Sequence, residues 1–132
     1  MTVISSTDKV YEIQETPYRE SERLNPLHPY EVAKASQDLA AQSYGKVAGI
    51  PVAVTRCGNY FGPHDFNFTR QMPGILQLII ADEAPIIRSN GQLIRDYLYI
   101  ADAVAVQLLL AERLCFRYVF DGFHALVSLS LT

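Results

Sequence analysis

Strand-forming and helix-forming segments alternate along this chain, and that order dictates layers. Thr2-Val3-Ile4-Ser5-Ser6 is rich in β-branched residues and reads as a strand. Tyr30, Val32, Ala33, Ala35, Leu39, Ala40, Ser43, Tyr44 and Val47 recur at helical spacing, so a helix covers about 30–47. Pro29 suits its first turn, where a missing N–H costs nothing, and Gly49 suits its end. Pro51 to Arg56 reads as a short buried strand. A second helix is expected at 73–82, a hairpin at 85–95 turning on Ser89-Asn90-Gly91-Gln92, and a third helix at 100–112. The order strand, helix, strand, helix, short hairpin, helix argues for α/β layering.

The connections carry their own information. Residues 11–28 hold Pro17, Pro26, Asn25 and several glutamates, and form a long polar loop of the kind that often carries function. Gly58 to Pro63 reads as a loop at a strand end. Beyond residue 113 the texture changes. Leu114 to Phe120 and Ala125 to Leu131 are apolar and read as strands, the second alternating Val127, Leu129 and Leu131 against Ser128 and Ser130. The expected organisation is therefore one partial α/β domain at 1–113 and an unassigned tail at 114–132.

Charge and cysteine content exclude several classes. The 132 residues carry a formal net charge of −3 with no long basic run, which argues against nucleic acid as partner. Cys57 and Cys115 make neither a disulfide framework nor a CxxC metal set, and His28, His64 and His124 lack ligand spacing, so no metal site is expected. No apolar run is long enough to span a bilayer, and Met1-Thr2-Val3-Ile4 is no signal peptide. A cytoplasmic location is the simplest expectation.

The chemistry-bearing residues fall in four blocks. Tyr30 and Lys34 stand at i and i+4, on one helical face, where an ammonium favours the phenolate and makes it a base for a hydroxyl proton. Ser5-Ser6-Thr7-Asp8-Lys9 lies at the carboxyl end of the first strand, the edge where open α/β sheets bind ligands. Thr7 suits a sugar hydroxyl, with Asp8 and Lys9 as an acid/base pair beside it. Arg56-Cys57-Gly58-Asn59 brings Asn59 to another strand end. Arg95-Asp96-Tyr97-Leu98-Tyr99 offers a guanidinium suited to phosphate. Each has a structural reading too. Thr7 can cap a turn, Asp8 and Lys9 can form an exposed ion pair, Asn59 can sit in a turn, and Tyr97 and Tyr99 can be packing residues.

Taken together these blocks resemble the extended short-chain dehydrogenase/reductase family, the NAD-dependent sugar-nucleotide epimerases and dehydratases. Ser6-Thr7-Asp8-Lys9-Val10-Tyr11, Pro29-Tyr30-Glu31-Val32-Ala33-Lys34-Ala35, Val54-Thr55-Arg56-Cys57-Gly58-Asn59, and Ile87-Arg88-Ser89 with Arg95 to Tyr99 are most similar to the CDP-glucose 4,6-dehydratase branch, chiefly through Thr7-Asp8-Lys9. The resemblance implies the C-terminal part of a Rossmann-type doubly wound sheet plus part of a substrate-binding region. It implies NAD as cofactor, a nucleotide sugar as substrate and a homodimer in the full-length family. It further implies Tyr30 as base at sugar C4, and Lys34 on the nicotinamide ribose. Thr7 would orient the reacting hydroxyl, Asp8 would act as acid at C6, and Lys9 would stand where a C5 base is expected. That last role requires a neutral amine, through burial or a nearby cation. Asn59, Arg70 and Arg95 would hold the nucleotide diphosphate.

The chain also departs from the family. Its glycines, at 45, 49, 58, 62, 74, 91 and 122, make no Gly-x-Gly-x-x-Gly or Gly-x-x-Gly-x-x-Gly turn, so no phosphate cradle is present in these residues. Glu12 follows Tyr11 where the family usually has Gly. The family's Gly-rich half would precede residue 2, so the chain reads as a fragment that is inactive by itself. The alternatives are a non-catalytic remnant or interaction module, and a nucleotide-sugar 4-epimerase. Asp8-Lys9 argues against the epimerase, which needs no acid/base pair at C5 and C6.

Overall fold

The computed structural model describes residues 1–12, 17–87, 89–92, 94–120 and 126–131, with backbone only at 117–120 and 126–131. Glu15, Arg88, Leu93 and His124 lie outside the described residues. In chain order the elements are β1 (Thr2–Ser5), a 3-10 turn (Asp8–Val10), α1 (Pro29–Ala48), β2 (Val52–Cys57), β3 (Asn59–Phe61), α2 (Gln71–Ile80), β4 (Tyr97–Tyr99), α3 (Ile100–Phe120) and β5 (Leu126–Leu131).

Strands β1, β2 and β5 form a parallel sheet in the order β1-β2-β5. Thr2 faces Val52 and Ser5 faces Thr55; Val52 faces Leu126 and Cys57 faces Leu131. All six residues of β2 are buried, as expected for a central parallel strand covered on both faces. Successive β2 side chains point to opposite faces. Ala53 packs with Leu110, Leu114, Val3 and Val106, which is the α3 side. Arg56, on the other face, meets Asp38 of α1. Helices α1 and α3 therefore sandwich the sheet, the α/β layering that the sequence order implies. A separate parallel pair, β3 with β4, matches Asn59 to Tyr97 and Phe61 to Tyr99.

Helix α1 begins and ends where its sequence says. Pro29 occupies the first turn, and the Glu31 carboxylate accepts the backbone N–H groups of Leu27 and His28, both at 2.9 Å. Gly49 closes the helix at φ 65°, a left-handed conformation that favours glycine, and its N–H reaches Tyr44 O. The inward face carries Ala35, Asp38 and Gly45. Asp38 is fully buried and Arg56 is 2% exposed. The guanidinium grips the carboxylate twice, Nε to Oδ2 at 2.6 Å and Nη2 to Oδ1 at 3.1 Å. Gln42 Nε2 donates to Asp38 Oδ1, and Arg56 Nη1 donates to the Tyr11 hydroxyl and to Glu20 O. Burial works against the Arg56 charge, yet hydrogen bonds to Asp38 and Tyr11 outweigh it and hold its pKa above the usual value. Tyr11 stacks on Tyr18, pairs with Leu24, and packs with Val10 and Ala35, so the 11–28 loop is pinned at both ends of this network.

Several expectations change. Helix α3 does not stop at residue 112 but runs to Phe120, so Leu114 to Phe120 is helical and not a strand. Ala103, Val106, Leu110 and Leu114 continue one inward face at spacings of three and four, and that packing overrides the β preference of Cys115, Phe116, Tyr118 and Val119. Residues 126–131 are a strand, as their alternation implies, and extend the sheet beside β2. The hairpin at 85–95 is absent among the described residues, where 85–87 and 94–95 belong to no strand. The loop at 58–63 contains β3 instead, a strand too short to show a period and formed by pairing with the distant β4. Gly62 permits that pairing, because a Cβ there would collide with the Ile100 side chain.

Two outcomes follow from the α1 anchors. Asp38→Ala removes the carboxylate that grips the buried Arg56 guanidinium twice and lowers the unfolding free energy by about 3–5 kcal/mol, measured by urea denaturation; a loss under about 1 kcal/mol would remove the pair from its anchoring role. The Glu31 carboxyl lies below its ordinary value of 4.5, through backbone hydrogen bonds from His28 and then Leu27. A depressed folded-state pKa contributes stability that is fully present above pH 4.5 and is lost as pH falls through the folded value. Glu31→Gln is accordingly less stable than the native chain at neutral pH, and the difference closes in acid. A difference unchanged by acid would sink this account of the cap.

Candidate active site

The carboxyl ends of β1 and β2 open onto one cleft of about 410 Å³. Ser6 and Thr7 reach it from β1, Cys57 and Gly58 from β2, Asn59 from β3, and Tyr30 from the first turn of α1. Asp65, Arg70 and Gln71 close it from the loop before α2 and that helix's start, and Arg95 and Tyr97 from the strand entry of β4. Of the eight residues expected from the sequence, six line this cleft: Thr7, Lys9, Tyr30, Asn59, Arg70 and Arg95. Asp8 and Lys34 stand behind it, each held by a residue of the β1 end.

Their local geometry is well defined. Ser6 N–H donates to Thr55 O and prolongs the β1–β2 ladder to the cleft edge. Thr7 is 6% exposed. Its hydroxyl donates to Asp8 Oδ1 at 3.0 Å and accepts the Lys9 backbone N–H, so it caps the 3-10 turn as well as facing the cleft. Lys9 Nζ lies 3.7 Å from Asp8 Oδ1 and donates to Asn59 Oδ1 at 3.2 Å. The Lys9 side chain is 44% exposed and its charged neighbour is a carboxylate.

Tyr30 is exposed at the cleft rim, and Lys34 follows one turn later on the same helical face. Lys34 Nζ donates to Ser5 O at 2.9 Å and to Gln37 Oε1 at 3.4 Å. An ammonium has three N–H groups, so one remains for a ligand. Asp38 lies a further turn on, which places Tyr30, Lys34 and the buried anchor on a single stripe. Asn59 is part of strand β3 and not a turn residue; its N–H and its Nδ2 both donate to Asp96 O. Arg70 Nη1 pairs with Asp65 Oδ2 at 3.1 Å, and Arg95 Nη1 donates to Ile94 O. Among the described residues no cluster of His, Cys, Asp and Glu is suited to a metal.

Sequence reasoning missed some of the lining. Tyr97 packs edge-on to Phe61, and its hydroxyl also donates to Gln71 Oε1 at 2.6 Å, tying β4 to α2 across the cleft. Tyr60 contacts Ser5 Oγ, and burial, then a hydrogen bond with Cys57, pushes its phenol up. Asp65 had no sequence signal beyond a polar loop. Asp38 and Arg56 did have one: a carboxylate on the inward helical stripe and an arginine in an otherwise apolar strand.

Residues 2–115 match the model of the NAD dependent epimerase/dehydratase family. A dTDP-glucose 4,6-dehydratase of Streptomyces antibioticus is 37% identical over 98 residues, 74% of this chain and 29% of that protein. The dTDP-glucose 4,6-dehydratase of Escherichia coli is 34% identical over 85 residues, 64% of this chain and 23% of that protein. Among solved structures, the Bacillus anthracis dTDP-glucose 4,6-dehydratase in complex with NAD superposes with a TM-score of 0.73 at 25% identity, covering 98% of this chain and 49% of that one. The UDP-N-acetylglucosamine 4-epimerase of Methanobrevibacter ruminantium shares the fold with a TM-score of 0.76 at 24% identity, again over 98% and 49%. The chain spans under a third of these curated relatives and about half of these solved structures. The family match over residues 2–115, with the parallel sheet and the cleft at its strand ends, makes this chain a member of the NAD dependent epimerase/dehydratase family, whose cofactor is NAD.

Proposed function

We propose that this chain carries the substrate-facing part of a nucleotide-sugar 4,6-dehydratase, of the type that converts CDP-glucose to CDP-4-keto-6-deoxyglucose. The observation that carries the reading is the Thr7-Asp8-Lys9 turn beside Tyr30 and Lys34. A 4-epimerase needs only the tyrosine and lysine. A turn that sets the Asp8 carboxyl directly beside the cleft-lining Lys9 suits loss of water across C5 and C6.

The residues fit the nicotinamide-ribose end of the cofactor, through the exposed Tyr30 and the spare N–H of Lys34. They do not supply a pyrophosphate cradle, since the 132 residues have no Gly-rich turn. When bound, NAD⁺ supplies a reversible hydride acceptor. Tyr30 takes the proton of the C4 hydroxyl, with the Lys34 ammonium favouring its phenolate. Thr7 orients that hydroxyl. Once C4 is a ketone the C5 proton is acidic; Lys9 is the proposed group at C5, and Asp8 gives a proton to the departing C6 hydroxyl. This requires the proton of the paired Lys9 ammonium to pass to the Asp8 carboxylate in the substrate complex, which leaves an amine to take the C5 proton and a carboxylic acid to protonate the C6 hydroxyl. Asn59, Arg70 and Arg95 hold the diphosphate at the mouth of the cleft. The CDP assignment rests on Lys9 following Thr7-Asp8.

All of these residues lie in the unit expected at 1–113; the 114–132 segment contributes the end of α3 and β5. A homodimer and a cytoplasmic location belong to the same proposal. Exposed Val32, Leu39 and Val47 on α1 and the free thiols Cys57 and Cys115 support them. The competing reading is a non-catalytic remnant or interaction module, and it shares the expectation that the isolated 132 residues do not turn over.

Supplied with NAD and CDP-glucose, the isolated chain forms no 4-keto-6-deoxy sugar, detected by its absorbance in alkali. It nevertheless binds CDP-glucose more tightly than dTDP-glucose or UDP-glucose in competition. Turnover would overturn the inactive reading, and Tyr30→Phe should then reduce it by about 100-fold or more. Equal or reversed nucleotide preference would overturn the CDP assignment, and no binding at all would favour the remnant.

A further inference from the structure

Three cationic side chains line the cleft: Lys9, Arg70 and Arg95. Arg70 differs from the others in its partner. Its guanidinium pairs at 3.1 Å with Asp65, and Asp65 also lines the cleft. The Lys9 partner, Asp8, does not. Asp65 is thus an anion that the protein itself puts at the mouth of a site built for anions. Its two oxygens divide the work. Oδ1 accepts the Asn67 N–H at 3.1 Å and shapes the loop; Oδ2 takes Arg70. The Arg70 side chain is 62% exposed and that of Asp65 20%. The cation is therefore free to swing while the carboxylate is held by its turn.

The geometry points to Asp65 as an internal competitor for the substrate diphosphate: it occupies Arg70 in the open site and must give it up when the nucleotide binds. This rests on the proposed role of Arg70 as a diphosphate contact. Two charges compete for one guanidinium, and the fixed carboxylate also repels an incoming phosphate. Asp65 lowers affinity for every nucleoside diphosphate alike, so the discrimination left to the site comes from the base and sugar. The exchange also couples the loop before α2 to occupancy, because Arg70 stands at the start of that helix.

The test is calorimetric titration of the chain with CDP. Asp65→Asn keeps an oxygen for the Asn67 N–H but removes the charge, and is expected to tighten CDP binding about two- to five-fold, the range of an exposed ion pair. In an Arg70→Ala background the same substitution should give no gain, since the competition has no object. Unchanged or weaker binding by Asp65→Asn overturns the proposal. Asp65→Ser, which can still cap the turn, serves if Asp65→Asn does not fold, with the same expectation. If CDP binds and Arg70→Ala binds it equally well, Arg70 is not a diphosphate contact and both ideas about it fail. If CDP binds to no version of the chain, the nucleotide-sugar reading fails as well.

Discussion

The buried pair between Asp38 and Arg56 fixes how the two halves of the cleft meet. Asp38 is fully buried and Arg56 nearly so, and their fork-to-fork contact joins the middle of α1 to the middle strand of the sheet. Helix α1 carries Tyr30 and Lys34 two turns and one turn before Asp38, on the same stripe. A helix free to roll about its axis would sweep that stripe away from the strand ends. The charge pair resists the roll, because any departure breaks two hydrogen bonds between buried ions. Arg56 extends the restraint to Tyr11 and Glu20, so the polar loop between the 3-10 turn and α1 is held by the same guanidinium.

The cleft follows from sheet geometry. Parallel strands end their carboxyl termini on one side, and the residues just past β1 and β2 diverge there to leave a crevice. Ser6 prolongs the ladder by one bond before the chain turns away at Thr7. Beyond β2 the chain passes Gly58, where a Cβ would lie 3.1 Å from Asp96 O, and pairs at once with β4. That close approach brings the segment carrying Arg95 alongside Asn59. A distant stretch of sequence thereby becomes a wall of the cleft, opposite the helix that carries Tyr30.

Much of this was legible in the residues. The bounds of α1 could be read from Pro29 and Gly49, and the buried β2 from the run after Pro51. The grouping of Thr7, Tyr30, Asn59 and Arg95 was legible because each lies at a strand end or helix start. What escaped were features decided by distant contacts. Strand β3 has three residues and exists only through β4. Residues 114–120 favour strands individually, yet Leu114 extends the inward face of α3 and the helix continues. The Asp65–Arg70 pair has no local pattern, since its partners stand five residues apart and are joined by an irregular loop. The ion pair between Asp8 and Lys9 was legible from their adjacency, whereas the contact of Lys9 with Asn59 is made across distant sequence.

The central claim is that a nucleotide sugar sits in this cleft, between the α1 stripe and the β3–β4 wall. Mapping amide chemical shifts of the chain during titration with CDP-glucose tests it most directly. The account predicts that the largest changes fall at Thr7, Asn59, Arg70 and Arg95, with α1 affected at its first turn and β5 unchanged. Changes confined to the outer faces of α1 or α3, or none at saturating ligand, would contradict it.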